Sequence, residues 1–507
     1  MPKPRIMHGS LVSLISSLLF LSGCASLPTI VPDLARRPAS AVQLQGARGP
    51  LTAAQGKAVL DRLRSRGTPT DIFERHLALE EAIVGSPLTT GNQVLLLQDG
   101  PATYKAMFAA IALAKDHINM ETYILDDDDI GRQFAQALMD KQRQGVQVNL
   151  IRDSVGTFGT PAAFFQELAT TGIKVLEFNP INPLQSRKEW ALNQRDHRKL
   201  LIVDGSTAFL GGINISSVYS GGSFGSGGRA RSDARLSRRD ARSASAGISS
   251  PKSDASATGR DAGAPRPPAA RAAQAADPLA WRDTDLQLRG PVVAEFQKLF
   301  IATWEKQKGE PLAAKNYFPK LEAAGPHVVR AIGSAPDEPY SLIYATLLSA
   351  INSAETSVRL TNAYFAPDPQ LLTALISAAQ RGVDVTLILP SQTDSWLIFH
   401  AGRNYYEQLL RGGVKIYQRR GVILHSKTAL IDGVWATVGS TNLDWRSFLH
   451  NQELNAIVLG PDFARQVQAM FDKDLALSDQ IMLREWQRRP LDLRIKEAFA
   501  RAWEYWL

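Results

Sequence analysis

The feature that most restricts this chain of 507 residues is that it contains a repeat of itself. Residues 164–178 (FFQELATTGIKVLEF) align without a gap to 405–419 (YYEQLLRGGVKIYQR), and 145–151 (GVQVNLI) mirror 382–388 (GVDVTLI). The longer segments each read as an amphipathic helix, a glycine stop and a short strand, and the shorter ones as strands that follow a helical pattern. A repeat of this length has to be settled before any motif is read, because each copy is one structural unit. Helices alternating with buried strands argue for an α/β layer architecture in each half.

The repeat is interrupted once. Residues 221–276 are rich in Gly, Ser, Ala, Arg and Pro with almost no large apolar side chains, a composition that cannot bury enough surface to fold, so a disordered insertion within the first half is expected. This segment also decides how the net charge of +8 is read. It holds ten Lys and Arg against four Asp, and with Lys3 and Arg5 also set aside the rest of the chain is close to neutral. Any basic patch on the body must therefore be local, which weakens a nucleic-acid reading. The length implies more than one core, and 44% hydrophobic and 21% charged residues with no run of eighteen apolar positions exclude a multi-pass membrane protein.

Chemistry is carried by a constellation that repeats with the halves. The first holds His197, Lys199 and Asp204 (HRKLLIVD), followed by Gly211, Gly212 and Asn214; the second holds His425, Lys427 and Asp432 (HSKTALID), followed by Gly439, Ser440 and Asn442, at identical spacing. His and Lys two apart in a β-rich stretch emerge on one face while the residues between them anchor the strand. One such histidine is ordinarily a core or surface residue; two copies in register are not explained by packing alone.

These residues resemble the paired HKD motifs of the phospholipase D superfamily. WRDTD (281–285), YFAPD (364–368), RNYYE (403–407) and NLDWRSFLHNQE (442–453) extend the resemblance to bacterial cardiolipin synthases, over roughly residues 91–485. The resemblance implies two tandem phospholipase D-like α-β-α sandwich domains (91–310, carrying the insertion, and 311–507) packed as a pseudo-dimer around one shared active site. It also implies a monomeric chain acting on phospholipids, with phosphatidylglycerol or phosphatidylethanolamine open as donor. From the family, His197 is assigned as nucleophile and His425 as acid/base.

The chemistry has a physical rationale. Anionic oxygens repel a nucleophile from a phosphodiester, and an alkoxide is a poor leaving group. Lys199, Lys427, Asn214 and Asn442 can surround the phosphate with charge and donors, so neither metal nor cofactor is expected. One imidazole attacks phosphorus while the other protonates the departing alcohol and deprotonates the incoming one. Each imidazole also needs an orienter for its second nitrogen. Aligning Gly290-Pro291 with Gly460-Pro461 places Asp283 opposite Glu453, which are the expected orienters. Asp204 and Asp432 complete the catalytic motifs, with the expected part of stabilising the turn behind each.

Other candidates read less sharply. The run Asp126–Asp129 suggests a solvated turn rather than a cation site. Trp396, Phe399, Tyr405 and Tyr406 fit either a lipid path or plain packing, and Arg419 and Arg420 are candidates for the active-site mouth. Competing functions are a phospholipase D or nuclease in which water is the acceptor, and a non-catalytic lipid-binding lipoprotein; two intact motifs oppose the last.

At the N-terminus a basic start, an apolar run from Leu11 to Leu21 and Leu21-Ser22-Gly23-Cys24 resemble a bacterial lipoprotein signal, with residues 1–23 removed and Cys24 lipidated. Cys24 is the only cysteine, so no disulfide can form within the chain. The resemblance implies a lipid-anchored protein of the cell envelope on the periplasmic side, with inner and outer membrane both open. Residues 24–90 precede the repeat and suggest a helix over 53–79 without assignable chemistry.

Overall fold

The computed structural model of the protein describes residues 30–31, 41–67, 69–181, 193–222 and 279–506. The expected signal segment, Cys24 and almost all of the expected insertion lie outside the described residues. Among the described residues, seven strands form the main sheet of the first half: β1 (Leu88–Gln98), β2 (His117–Thr122), β3 (Gln147–Asp153), β4 (Lys174–Phe178), β5 (Leu200–Val203), β6 (Thr207–Gly211) and β7 (Thr284–Arg289). The second contributes β8 (His327–Ser334), β9 (Ser357–Asn362), β10 (Asp384–Pro390), β11 (Lys415–Arg419), β12 (Lys427–Ile431), β13 (Trp435–Gly439) and β14 (Asn451–Leu459).

The two sheets have one topology. The first runs β4-β3-β2-β5-β6-β7-β1 and the second β11-β10-β9-β12-β13-β14-β8. In each, three parallel strands are followed by four antiparallel ones. The edge strands β1 and β8 pair antiparallel, with a register irregularity between His327 and Val329, so the sheets join into one continuous surface.

Strand alternation sorts the side chains into layers. Leu200 and Ile202 face a core shared by both halves, which also takes Leu430 and Val438 from the second sheet and the helices Val293–Lys306 and Pro461–Ala476. Their neighbours Leu201 and Val203 face outward, under the helices Asp99–Leu113, Asp129–Arg143 and Ala162–Thr170. Ala429 and Ile431 face the matching outer core of the second half, under Leu342–Asn352 and Pro369–Gln380. Helix starts repeat as well: Asp128 accepts from the amides of Ile130 and Gly131, and Asp368 from those of Gln370 and Leu371. Such caps contribute about 1 kcal/mol each. Asp127 pairs with Arg132, so the acidic run is a helix entry, and no cluster of metal-binding side chains occurs among the described residues.

The region before the repeat is helical only in part. Leu44–Gly46 adds a short parallel strand beside β1, and the helix Ala53–Arg66 begins with a capping box between Thr52 and Gln55. The helix Arg75–Ile83 packs against Leu342–Asn352, and Phe73 and Leu77 are buried in the second half's outer core rather than the first's. Each such side chain contributes roughly 1.5–3 kcal/mol by leaving water. Polar contacts fix the docking: Arg330 reaches Glu80 and Glu81, and His76 bonds Ser349.

Candidate active site

Both HKD motifs end on one cleft of about 350 Å³. His197 and His425 line it together with Asn214, Asn442, Tyr123 and Tyr364. Two short strand pairings across the halves put them there. Arg195–Asp196 pairs parallel with the start of β14, and the His197 amide donates to the Gln452 carbonyl at 3.0 Å. Trp281–Arg282 pairs parallel with Ile423–Leu424, and the His425 amide donates to the Arg282 carbonyl at 2.7 Å. In both cases the next residue along the partner strand is a carboxylate.

The carboxylates therefore act crosswise. Glu453 of the second half lies 3.1 Å from His197 Nδ1 by either oxygen, and Asp283 of the first half lies 2.7 Å from His425 Nδ1. Repeat alignment made Asp283 and Glu453 equivalent but could not say which imidazole each meets; the parallel pairings across the halves decide it. A carboxylate accepts only from a protonated nitrogen, so Nδ1 carries a hydrogen in each ring and Nε2 is the atom left to present a lone pair or to carry a second proton. The Tyr219 hydroxyl (3.3 Å) and Lys427 Nζ (3.0 Å) also approach Nδ1 of His425 and are neighbours rather than donors to it.

The two carboxylates are dressed differently. Glu453 accepts from the hydroxyls of Ser440 and Ser447 and from the Asn451 amide. Asp283 accepts from the Thr284 amide and sits against Gly212, where a Cβ would come within 2.2 Å of its oxygen. Gly212 is thus required by close approach, while Ser440 at the equivalent position supplies a hydrogen bond.

Lys199 and Lys427 are buried, each donating to the carbonyl of its own histidine. Burial pulls the Lys199 ammonium down to about 7 and that of Lys427 to about 8, against the opposing pull of Glu453 and Asp283. Burial likewise depresses His197 to about 4 and lowers His425, with Lys427 adding to the latter. Burial pushes the Glu453 carboxyl up, but its hydrogen bonds with His197 and Ser440 and the charge of Lys199 more than offset that, and its pKa is lowered.

Asn214 and Asn442 reach the cleft on different terms. Asn214 uses its carbonyl for the Ile124 amide and its NH2 for the Tyr219 hydroxyl, whereas Asn442 Oδ1 has no hydrogen-bond partner among the described residues. Asp204 and Asp432 stand away from the cleft: they adopt φ of 51° and accept the amides of 115–117 and 355–357 respectively. Counted with the catalytic residues by motif, they tie the turn after β5 or β12 to the entry of β2 or β9. Arg419 is a correction of another kind. Expected near the mouth, it is buried on Asp474, which also binds Arg282, so it braces the strand that delivers Asp283. Tyr405 and Tyr406 pack in the core while Trp396 is half exposed.

The sequence did not flag Tyr123, Tyr219, Arg195 or Asp394, and flagged Asp444 and Arg446 only as members of the block 442–453; all six line the cleft. Tyr123 lies edge-on to His197 at 5.2 Å and Trp281 stands 5.1 Å from His425. Asp394 accepts from the Tyr364 hydroxyl at 2.7 Å, and burial raises Asp444 to about 7. Arg195, two residues before His197, was within reach of motif reading; Asp394 carries no local signal.

A two-sheet α/β pseudo-dimer with paired, carboxylate-held histidines in one cleft defines a phospholipase D-like fold, and the comparisons with known proteins place the chain within it. Residues 107–219 and 347–475 match the family described as cardiolipin synthase, PLD-like domain. A cardiolipin synthase of Geobacillus kaustophilus is 32% identical over 430 residues, covering 84% of this chain and 74% of the relative. A major cardiolipin synthase of Bacillus subtilis is 30% identical, covering 82% of this chain and 75% of its own length. The crystal structure of a phosphatidylserine synthase of Haemophilus influenzae shares the fold at 12% identity, with a TM-score of 0.54 over 89% of this chain and all of that one. The chain belongs to the cardiolipin synthase family of the phospholipase D superfamily.

Proposed function

We propose that this enzyme transfers a phosphatidyl group from one phospholipid to the hydroxyl of phosphatidylglycerol, making cardiolipin through a phosphohistidine. The observation that carries the reading is the pair of cleft imidazoles whose Nδ1 atoms are held by buried carboxylates, leaving both Nε2 atoms for chemistry. Belonging to the cardiolipin synthase family supplies the substrate class.

His197 is the better nucleophile. Its pKa of about 4 keeps Nε2 unprotonated at neutral pH, and the charge of Glu453 is shared among three further donors. Asp283 concentrates its charge on His425 at the shorter distance, which suits a ring that must take and release a proton. In the first step Nε2 of His197 bonds to phosphorus, the P–O bond to the donor headgroup breaks, and the proton of His425 goes to the departing alcohol. In the second, His425 takes the proton of the phosphatidylglycerol hydroxyl, the new P–O bond forms, and the P–N bond breaks to restore His197. Lys199, Lys427, Asn214 and Asn442 are the groups for the phosphate charge. An incoming phosphate raises the depressed lysine pKa values and so keeps both ammoniums charged.

Membrane attachment in this reading runs through a lipidated Cys24 on the periplasmic side. Cys24→Ser should shift the protein to the soluble fraction or leave it unprocessed; undiminished membrane binding in high salt would place the anchor elsewhere. The activity is tested by lipid mass spectrometry after expression in a cardiolipin-deficient strain. Cardiolipin that disappears with His197→Ala supports transfer. Phosphatidic acid in its place makes the enzyme a phospholipase D, and no change in either lipid removes the reading.

A further inference from the structure

No helix among the described residues is long and apolar enough to cross a membrane, yet one helix exposes an apolar face. On Leu491–Arg501, Leu491, Ile495 and Phe499 recur every fourth residue at 69%, 61% and 56% exposure, and Trp503 continues the series just past the helix end at 50%. A spacing of four keeps them on one stripe, roughly 18 Å long at 1.5 Å per residue. The opposite face is where the helix is held, by buried Glu497 and Ala500, with Glu497 taking Arg403 and Arg489. Helical geometry sets Arg494 along one flank of the stripe and Lys496, paired with Asp492, along the other.

The position of this helix gives the stripe its meaning. It packs along the helix Trp396–Arg403, whose Ile398, with Asp394 and Ser395 just before it, lines the catalytic cleft. Trp396, at the end of that helix nearest the cleft, is 49% exposed. On the other half, the loop after β3 carries Phe158 at 78% exposure, and its Gly156 lies against the backbone of Tyr123, another cleft residue. Exposed aromatic side chains therefore stand beside the cleft on both halves.

We propose that the face formed by Leu491, Ile495, Phe499 and Trp503, with Trp396, docks on the surface of an anionic phospholipid bilayer and sets the cleft against the lipid headgroups. The inference rests on the lipid-transferase reading for the source of the substrate, and on its own geometry for the surface. The exposed charges of this helix are Arg494, Lys496 and Arg501 against Asp492, which pairs with Lys496 at 3.1 Å; the excess of cations finds counter-charge on an anionic bilayer but not on a second copy of the same face.

The test uses residues 24–507 carrying Cys24→Ser, so that neither the signal segment nor acyl chains can hold the protein. Its flotation with phosphatidylcholine vesicles containing phosphatidylglycerol is compared with that of the same protein bearing Ile495→Glu and Phe499→Glu. Binding should fall by about tenfold or more, while turnover of a water-soluble p-nitrophenyl phosphodiester and the melting temperature hold. Leu113→Glu, an exposed apolar position at the end of Asp99–Leu113, should leave flotation unchanged, and Arg494→Glu should weaken it only for vesicles with phosphatidylglycerol. Independently, brominated phospholipid should quench the wild-type fluorescence more than that of Trp503→Phe. Undiminished flotation of the double variant, equal quenching, or a concentration-dependent dimer that the double variant dissolves would each overturn the proposal. Loss of flotation in a protein that makes no cardiolipin would remove the transferase reading and leave the docking surface standing.

Discussion

The two halves have the same seven-strand order, the same parallel approach to each histidine and the same backbone bond from its amide, yet the sites they build are unequal. Three positions account for most of the difference. Glu453 stands opposite Asp283, Ser440 opposite Gly212, and Ser447 opposite Tyr219. In the second half all three residues are polar groups joined to each other, so the negative charge beside His197 is spread over several donors. In the first, a glycine and a bulky phenol leave a shorter carboxylate aimed at His425. In the proposed mechanism these unequal surroundings are what suit one imidazole to attack and the other to carry the proton.

The largest effect that could break this comparison comes from removing each ring. His197→Ala should abolish lipid synthesis and any covalent adduct. His425→Ala should lose about 10² to 10⁴ in rate on ordinary phospholipids and still load His197 from a p-nitrophenyl phosphodiester, whose leaving group needs no proton. Intact-protein mass spectrometry reads both, and an adduct on His197→Ala with none on His425→Ala reverses the roles.

Next are the orienters. Asp283→Asn should cost about 10³ in kcat, because His425 loses its counter-charge in both half-reactions; Glu453→Gln should cost about tenfold less. The opposite ranking in steady-state assays would undo the division of labour argued from their hydrogen bonds.

The pH profile sharpens the same point. Protonation of His197, at about 4, removes the nucleophile as pH falls. As pH rises, His425 gives up its proton below the ordinary histidine value, and Lys199 and Lys427 lose their charge at about 7 and about 8, all three acting in one direction. In the free enzyme kcat/KM should therefore fall on the alkaline side and stay high in mild acid. A steady rise from pH 6 to about 9 would contradict these assignments.

A smaller effect separates Gly212 from Ser440. Gly212→Ser makes the first half resemble the second, but its Cβ meets the Asp283 carboxylate at 2.2 Å. A stability loss of about 1–3 kcal/mol with a fall in kcat is expected from the crowding. Ser440→Gly removes one hydrogen bond to Glu453 and should cost about 1 kcal/mol with activity nearly kept. Denaturant midpoints and initial rates distinguish them. Smallest of all is deletion of residues 225–274. Gly221 and Ala280 already lie against each other, so the junction needs no rearrangement and melting temperature and activity should hold. Loss of cooperative unfolding would give the segment a structural role.

The halves, the alternation of helices and strands within them and the histidine–lysine pairs were legible because each is a local pattern present twice. Repeat alignment identified Asp283 and Glu453 as equivalent, but it compares a residue with its counterpart and is silent on contacts between counterparts, so the crossed pairing could be read only from strands β14 and Trp281–Arg282. Residues 41–86 were illegible for a related reason. Their apolar side chains belong to the core of the half that is distant in sequence, with β1 and the whole first sheet in between. Tyr219 escaped notice because its counterpart is a serine, and a comparison of copies hides the positions where they have parted.

The crossed carboxylates carry a consequence for the history of such a chain. Were the halves two copies of one gene product, every substitution near one imidazole would fall near the other as well, and no change could favour attack in one place and proton transfer in the other. Joining the copies in a single chain breaks that bond between sites. Inheritance could then act on Gly212 without touching Ser440, while the dependence of each ring on the opposite half kept the two from drifting apart.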